Sequence, residues 1–235
     1  MRKLMIAAIT VLSISTYAIA AERKLLMNVD TDELSTDTQV SAEGAGDTHF
    51  AMIWWIPTEF WDATLSREAV LTEAQKNYFL DTMSNISLLA TIQADITELA
   101  AFHYYLKEEV EEKMFITFTD TTGRRKRLLP MTSVTEDQEV VLGIFKPILE
   151  AAMGNLGKNM HFFVLNDKSN SSHRIIDPYR TGYLSVQLSK RNGDLITAGI
   201  EMPLNALFVP RKCPNGKSAH VSWKYCPWSG KRLNE

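Results

Sequence analysis

The sequence lacks the short motifs that mark the common enzyme classes. It contains no GxSxG, HExxH, GxGxxG or Walker-type phosphate loop. Its five histidines show no pairwise spacing typical of metal ligands, so we expect neither a metal nor a cofactor. Cysteine is scarce as well, because Cys213 and Cys226 are the only two, and each precedes a proline in a turn-like sequence. These absences favour a non-catalytic protein.

Long apolar runs are also missing, except at the N-terminus. Arg2 and Lys3 precede an apolar stretch over residues 4–14, and Ala18-Ile19-Ala20 forms an A-x-A site. This pattern predicts a signal peptide over residues 1–20. The alternative is an uncleaved anchor helix, but the apolar stretch is shorter than the roughly 20 residues that a membrane span needs. We therefore expect a periplasmic or secreted protein, with no stable membrane insertion after cleavage of the leader.

The charge balance points away from nucleic acid. Residues 21–235 carry 23 basic and 28 acidic side chains, a net charge of −5, which disfavours general nucleic-acid binding. Residues 28–48 contain six acidic side chains and no Lys or Arg. This composition predicts a flexible acidic segment over residues 21–48 that tethers the folded domain.

Local patterns then predict one α+β domain over residues 49–210. Two capping boxes, Thr72 to Gln75 and Thr135 to Gln138, predict helices near residues 73–85 and 136–153. Alternating segments around turn sequences predict hairpins over residues 114–129 and 183–202, and apolar runs predict further strands. Residues 98–112 are ambiguous between helix and strand. The expected fold is a mainly antiparallel sheet with two or three helices.

Aromatic and polar residues supply weak candidates for a site. Three tryptophans cluster in one short stretch and a fourth lies near the C-terminus, and each is either a ligand contact or a core side chain; they are Trp54, Trp55, Trp61 and Trp228. His161 and Asp167 are catalytic candidates, since they would form an acid–base pair if the end of their strand lined a cleft.

Two polar stretches have both a functional and a structural interpretation. The basic run Arg124-Arg-Lys-Arg127 is either an anion-binding patch or the solvated edge of a sheet. The segment Asp177-Pro-Tyr-Arg-Thr-Gly182 is either a ligand-binding loop or an ordinary turn.

The C-terminal residues resemble a zinc ribbon, in which two Cys-Pro-x-Cys-Gly knuckles hold one metal ion. The first knuckle reads Cys213-Pro-Asn-Gly-Lys217, and the second reads Trp223-Lys-Tyr-Cys-Pro-Trp-Ser-Gly-Lys-Arg-Leu233. Gly216 and Ser229 replace the second cysteine of each knuckle, so two of the four ligands are missing. The resemblance covers about twenty residues and implies that the two remaining cysteines converge.

What the resemblance implies is a zinc-ribbon-like hairpin over residues 211–235, closed by a disulfide between Cys213 and Cys226. An oxidising compartment would favour this bond. The alternatives are a residual metal site with His220 as third ligand, or two free or intermolecular thiols.

Together these features predict a non-catalytic binding or accessory protein of the cell envelope, with an unidentified protein or small molecule as its ligand. One alternative is an envelope hydrolase that uses His161 and Asp167. Another is a subunit of an envelope assembly that docks through an aromatic surface.

Overall fold

The computed structural model describes residues 21–168 and 174–233, so the predicted signal peptide lies outside the described residues. The helices are α1 (Thr31–Thr38), α2 (Thr58–Leu65), α3 (Glu73–Met83), α4 (Lys107–Lys113) and α5 (Glu136–Ala152). The strands are β1 (Gln39–Ser41), β2 (His49–Ile56), β3 (Ile86–Ile96), β4 (Phe102–Tyr104), β5 (Phe115–Thr119), β6 (Arg125–Leu128), β7 (His161–Asn166), β8 (Gly182–Ser189), β9 (Leu195–Met202), β10 (Arg211–Lys212) and β11 (Ser218–Ala219). The predicted α+β class is confirmed, and all strand pairings in these residues are antiparallel.

The first sheet is organised around β3, its longest strand. One edge of β3 pairs with β2, which in turn pairs with β1. The other edge is shared, because β7 pairs with the first half of β3 and β4 with the last three residues. A strand enclosed on both edges and both faces must tolerate burial along its length, and Ile86 to Ala94 are all buried.

The second sheet has the order β6-β5-β8-β9 and contains both predicted hairpins. The hairpin of β5 and β6 turns at Gly123, which has a φ of 79°, and that of β8 and β9 turns at Gly193, which has a φ of 93°. Glycine adopts such positive φ angles without the steric cost that a Cβ atom brings. The basic run on β6 lies on an edge strand, as its charge predicts.

Alternation along the strands produces two hydrophobic cores. Successive side chains of a strand point to opposite faces, so Trp55 and Trp54 enter different cores. The core that holds Trp55 also contains the inward residues of the second sheet, such as Val186 and Ile200. The core that holds Trp54 contains residues of α2, α3 and α5, including Trp61 and Leu149. The body therefore has three layers: helices, first sheet and second sheet.

The flexible acidic segment predicted for residues 21–48 is wrong. These residues form α1 and β1, and β1 extends the first sheet. The side chain of Asp30 caps α1 by accepting hydrogen bonds from the amides of Asp32 and Glu33 at 2.8 and 3.2 Å. Val29 and Leu34 are fully buried in the core between the sheets. Two well-placed apolar residues thus fold a segment whose average composition is strongly polar.

Other local predictions match the structure closely. Both capping boxes are formed, at the starts of α3 and α5. The ambiguous residues 98–112 contain a short strand, β4, followed by α4. No helix in the described residues is long and apolar enough to cross a bilayer.

The C-terminal unit, residues 211–233, is closed by the predicted Cys213–Cys226 disulfide, whose Cα atoms lie 5.6 Å apart. Each cysteine starts a tight turn. The amide of Cys213 donates to the carbonyl of Lys217 and that of Cys226 donates to Lys231, both at 2.8 Å. The pairing leaves no thiolate for a metal site with His220. Within residues 21–168 and 174–233, no group of three or more His, Cys, Asp or Glu could hold a metal ion.

Candidate anion-binding cleft

The tryptophans considered as ligand contacts divide into two groups. Trp54, Trp55 and Trp61 are 3%, 0% and 2% exposed and belong to the hydrophobic cores. For these three the interpretation as a stacking surface is therefore wrong, because a ligand cannot reach their faces. Trp228 is 49% exposed on the C-terminal unit and remains available for contact.

The two catalytic candidates are not brought together. His161 begins β7 and Asp167 follows its end, so about 20 Å of extended strand separates them. The Nε2 atom of His161 lies 2.7 Å from the carbonyl oxygen of Tyr105. Asp167 instead faces an arginine, Arg174, which the sequence did not single out.

Arg174 is held between two carboxylates. Its Nε and Nη2 atoms both donate to Asp167 Oδ2 at 3.1 Å, and its Nη1 atom donates to Glu59 Oε1 at 2.5 Å. Asp167 also accepts a hydrogen bond from the amide of Ile176 at 2.7 Å. These three side-chain contacts use three of the five N–H donors of the guanidinium, so its plane is fixed while two donors have no partner in the residues described.

Burial sets the protonation balance of this cluster. Burial raises the pKa of Asp167 to about 6, although the nearby Arg174 guanidinium lowers it. Burial works against the charged form of Arg174 too, but the carboxylates of Glu59 and Asp167 outweigh it and raise the pKa of Arg174. The arginine therefore stays charged. It faces two carboxylates while Asp167 is ionised, and one, that of Glu59, when Asp167 takes up a proton.

Arg174 lies on the wall of a cleft of about 590 Å³. The cleft is formed by the turn between β5 and β6 and by residues 174–181, the two polar stretches whose function the sequence left open. Five basic side chains line it: Arg124, Arg125, Lys126, Arg174 and Arg180. Two acidic side chains, Asp120 and Asp177, line it as well.

The turn at the mouth of the cleft is rigidly built. The Asp120 carboxylate accepts hydrogen bonds from the hydroxyl and amide of Thr122 and from the amide of Arg124. These hydrogen bonds, that of the Thr122 hydroxyl first among them, lower the pKa of Asp120 to about 2. The Arg124 side chain returns to Asp120 at 3.3 Å, so this pair is already satisfied.

The other cleft cations have no such neutralising partner. In the part of the chain that the structure describes, no carboxylate lies within ion-pair distance of Arg125, Lys126 or Arg180. All three residues are exposed. The cleft thus combines one oriented, half-buried guanidinium with three exposed cations, an arrangement whose donors and charge suit an oxyanion.

A second polar cluster connects the two sheets but has a structural character. His49 is buried; its Nδ1 atom lies 2.8 Å from Asp95 Oδ1 and its Nε2 atom lies 3.2 Å from the amide nitrogen of Gln93. Arg191 bonds Asp95 at 2.6 Å and Glu109 at 3.1 Å. Partial burial raises the pKa of Asp95, but hydrogen bonds from His49 and Arg191 outweigh this effect, and the net result is a lowered pKa. Both ring nitrogens of His49 have partners, so the imidazole has no nitrogen left for a substrate.

No protein-family model matches the chain, and no curated protein or solved structure proved similar to it. Function is therefore inferred from the chain's own structure, which consists of a three-layer α+β body with a basic cleft and a small disulfide-closed unit.

Proposed function

We propose that this chain is a binding protein of the cell envelope that holds a small polyanion, carrying phosphate or several carboxylates, in the basic cleft. The observation that carries the proposal is the convergence of five basic side chains on one cleft of an otherwise acidic protein. Residues 21–235 carry a net charge of −5, so a local concentration of positive charge needs a reason, and oxyanion recognition supplies one.

Arg174 would make the specific contact. Its guanidinium is oriented before the ligand arrives, so little side-chain entropy is lost on binding. Arg125, Lys126 and Arg180 would add long-range attraction from the rim. Since these rim residues are exposed, their contribution should weaken as salt screens it.

The periplasmic or secreted location is part of the same proposal. The support is the leader-like sequence of residues 1–20 together with the disulfide between Cys213 and Cys226. The hydrolase alternative receives no such support, because His161 and Asp167 lie at opposite ends of β7. The resemblance of residues 213–233 to a zinc ribbon that has lost two ligands also belongs to this proposal. Its support is the tight turn that follows each cysteine.

Isothermal titration calorimetry with pyrophosphate and with citrate, at low ionic strength, tests the proposal. We expect the wild-type chain to bind at least one of the two, and the Arg125→Gln/Lys126→Gln variant to bind about tenfold or more weakly, as the loss of charge-assisted contacts predicts. Added salt should weaken binding by the wild type.

Arg127→Gln is the matched control. Arg127 lies on the same strand, but its guanidinium carbon sits 4.5 Å from the ring centre of Phe115 and it does not line the cleft. Its removal should change the affinity by less than about twofold, within the spread of ordinary surface substitutions. Failure of both polyanions to bind, or equal losses in the control, would contradict the cleft as the site.

A further inference from the structure

The C-terminal unit differs in charge from the rest of the chain. Residues 211–235 carry six basic side chains and one acidic one, a net charge of +5. Residues 21–210 carry 17 basic and 27 acidic side chains, a net charge of −10. In the described residues, no carboxylate pairs with Lys212, Lys217, Lys224 or Lys231. These four lysines are exposed to solvent and form no ion pairs with the described part of the acidic body.

The same unit exposes large aromatic rings. Trp223, Tyr225 and Trp228 are 36%, 60% and 49% exposed. The rings of Trp223 and Trp228 touch, with centroids 5.8 Å apart. The Lys217 ammonium lies 4.8 Å from the centre of the Trp228 ring, so the two indoles and Lys217 form one continuous patch, beside which Lys224 and Tyr225 are exposed. We call Lys217, Trp223, Lys224, Tyr225 and Trp228 the knuckle patch.

Folding does not require these rings to be exposed or even to be aromatic. The small core of the unit consists of Cys213, Ala219, Cys226 and Leu233, and contains none of them. The unit is anchored to the body elsewhere, where the amide of Val221 donates to Asn205 Oδ1 at 2.9 Å. Within the unit, Arg211 on β10 holds the turn that follows β11, because it donates to the carbonyls of Val221 and Trp223 at 3.1 and 3.0 Å. The knuckle patch is thus presented on a rigid support.

We infer that the knuckle patch docks onto the surface of an anionic lipid bilayer. Tryptophan and tyrosine favour the interfacial layer of a membrane, where the ring is partly buried and its polar atom stays hydrated. Lysines beside them gain from the negative surface potential of anionic lipids. The body, with its charge of −10, is repelled by the same potential, so the C-terminal unit makes the contact.

The ring geometry favours a lipid surface over a polymer of anionic sugars. The planes of Trp223 and Trp228 meet at 72°, edge to face. Two such rings do not offer the parallel faces on which successive sugar rings stack. An acidic protein partner would also satisfy the lysines and bury the indoles. A test for self-association covers one such partner, the acidic body of a second copy.

Co-sedimentation of the mature chain, residues 21–235, with vesicles tests this inference. We expect it to pellet with vesicles of phosphatidylcholine containing about a third phosphatidylglycerol, and about tenfold less with phosphatidylcholine alone. Lys217→Glu/Lys224→Glu and, separately, Trp223→Ser/Trp228→Ser should each lower binding to the anionic vesicles about tenfold or more.

The control variant is Lys113→Glu/Lys158→Glu. It changes the net charge by the same amount at two exposed residues of the body, and should alter binding by less than about twofold. A mass corresponding to the intact disulfide in each variant shows that the unit has formed. Binding to both vesicle types alike, or an equal loss in the control, would overturn the inference.

Two further outcomes would also overturn it. Binding to dextran sulfate that Lys217→Glu/Lys224→Glu abolishes, without binding to vesicles, would assign the patch to an anionic polymer. Concentration-dependent self-association that Lys217→Glu/Lys224→Glu abolishes, again without vesicle binding, would assign it to the acidic body of a second copy. The Arg125→Gln/Lys126→Gln variant of the cleft should keep its vesicle binding within about twofold, which separates vesicle binding from pyrophosphate binding in the cleft.

Discussion

The body of the protein and its C-terminal unit are stabilised in different ways. The body, up to residue 210, buries two large apolar cores on the two faces of its first sheet. The unit that follows buries four residues around one covalent bond, and packs Val221 against the core of the body. A core of that size cannot offset the entropy lost on folding, which is why very small units depend on disulfides or metals. The comparison shows how one chain joins a large scaffold to a small exposed surface, with the core of the unit and that of the body linked through Val221.

Removing a ring from the body should have the largest effect. Trp55 is fully buried between the two sheets, so Trp55→Ala leaves a cavity and should lower the free energy of unfolding by about 3–5 kcal/mol. Urea denaturation monitored by circular dichroism measures the loss. Trp228→Ala is the matched control on the unit, where the half-exposed ring should matter by about 0.5 kcal/mol or less. Similar losses in both variants would contradict the difference in packing between the two regions.

Removing the disulfide should affect only the unit. The Cys213→Ala/Cys226→Ala variant opens a loop of sequence separation 13, which should destabilise the unit by about 3 kcal/mol in the chain-entropy model. With so small a core, we expect the unit to unfold while the body keeps its melting temperature. Limited trypsin digestion should then cleave at Lys217 and Lys224 first. A large drop in the melting temperature of the body would contradict the separation of the two regions.

The smallest expected effect concerns the pH dependence of the body. The folded-state pKa of Asp167 is about 6, above its ordinary 3.8, so the group contributes stability that is fully present below pH 4 and lost as the pH rises through 6. Lowering the pH from 7 to 5 should therefore add about 1 kcal/mol that the Asp167→Asn variant does not gain. Parallel urea titrations at the two pH values measure the difference. Equal responses of the two proteins would contradict the raised pKa.

Local patterns predicted the secondary structure well where neighbouring residues decide it. The capping boxes of α3 and α5 and the glycine turns of the two hairpins depend on contacts within a few residues, so they can be found in a sequence. The segment of α1 and β1 was missed because its composition is polar, while its folding depends on the burial of Val29 and Leu34 by distant strands.

The cleft could not be predicted for a related reason. Arg174 and Glu59 are 115 residues apart, and no local signal pairs them. The basic run Arg124-Arg-Lys-Arg127 and the turn after Asp177 were each recognised as polar, but only the second sheet brings them together. In the same way, the aromatic cluster of β2 and α2 gave no sign of which rings would be buried, since both faces of β2 are covered.

The order in which the chain visits its two sheets has a consequence for how it folds. The chain completes four strands of the first sheet, forms β5 and β6 of the second, returns with β7 to pair with β3, and then adds β8 and β9 to the second. Ile86 pairs with Asn166, so the first sheet closes only after most of the chain exists. Pairings over such distances are slow to form. No truncation between β4 and β9 leaves both sheets whole, and a partial chain would expose unpaired edges, so the body is expected to fold as a single late event.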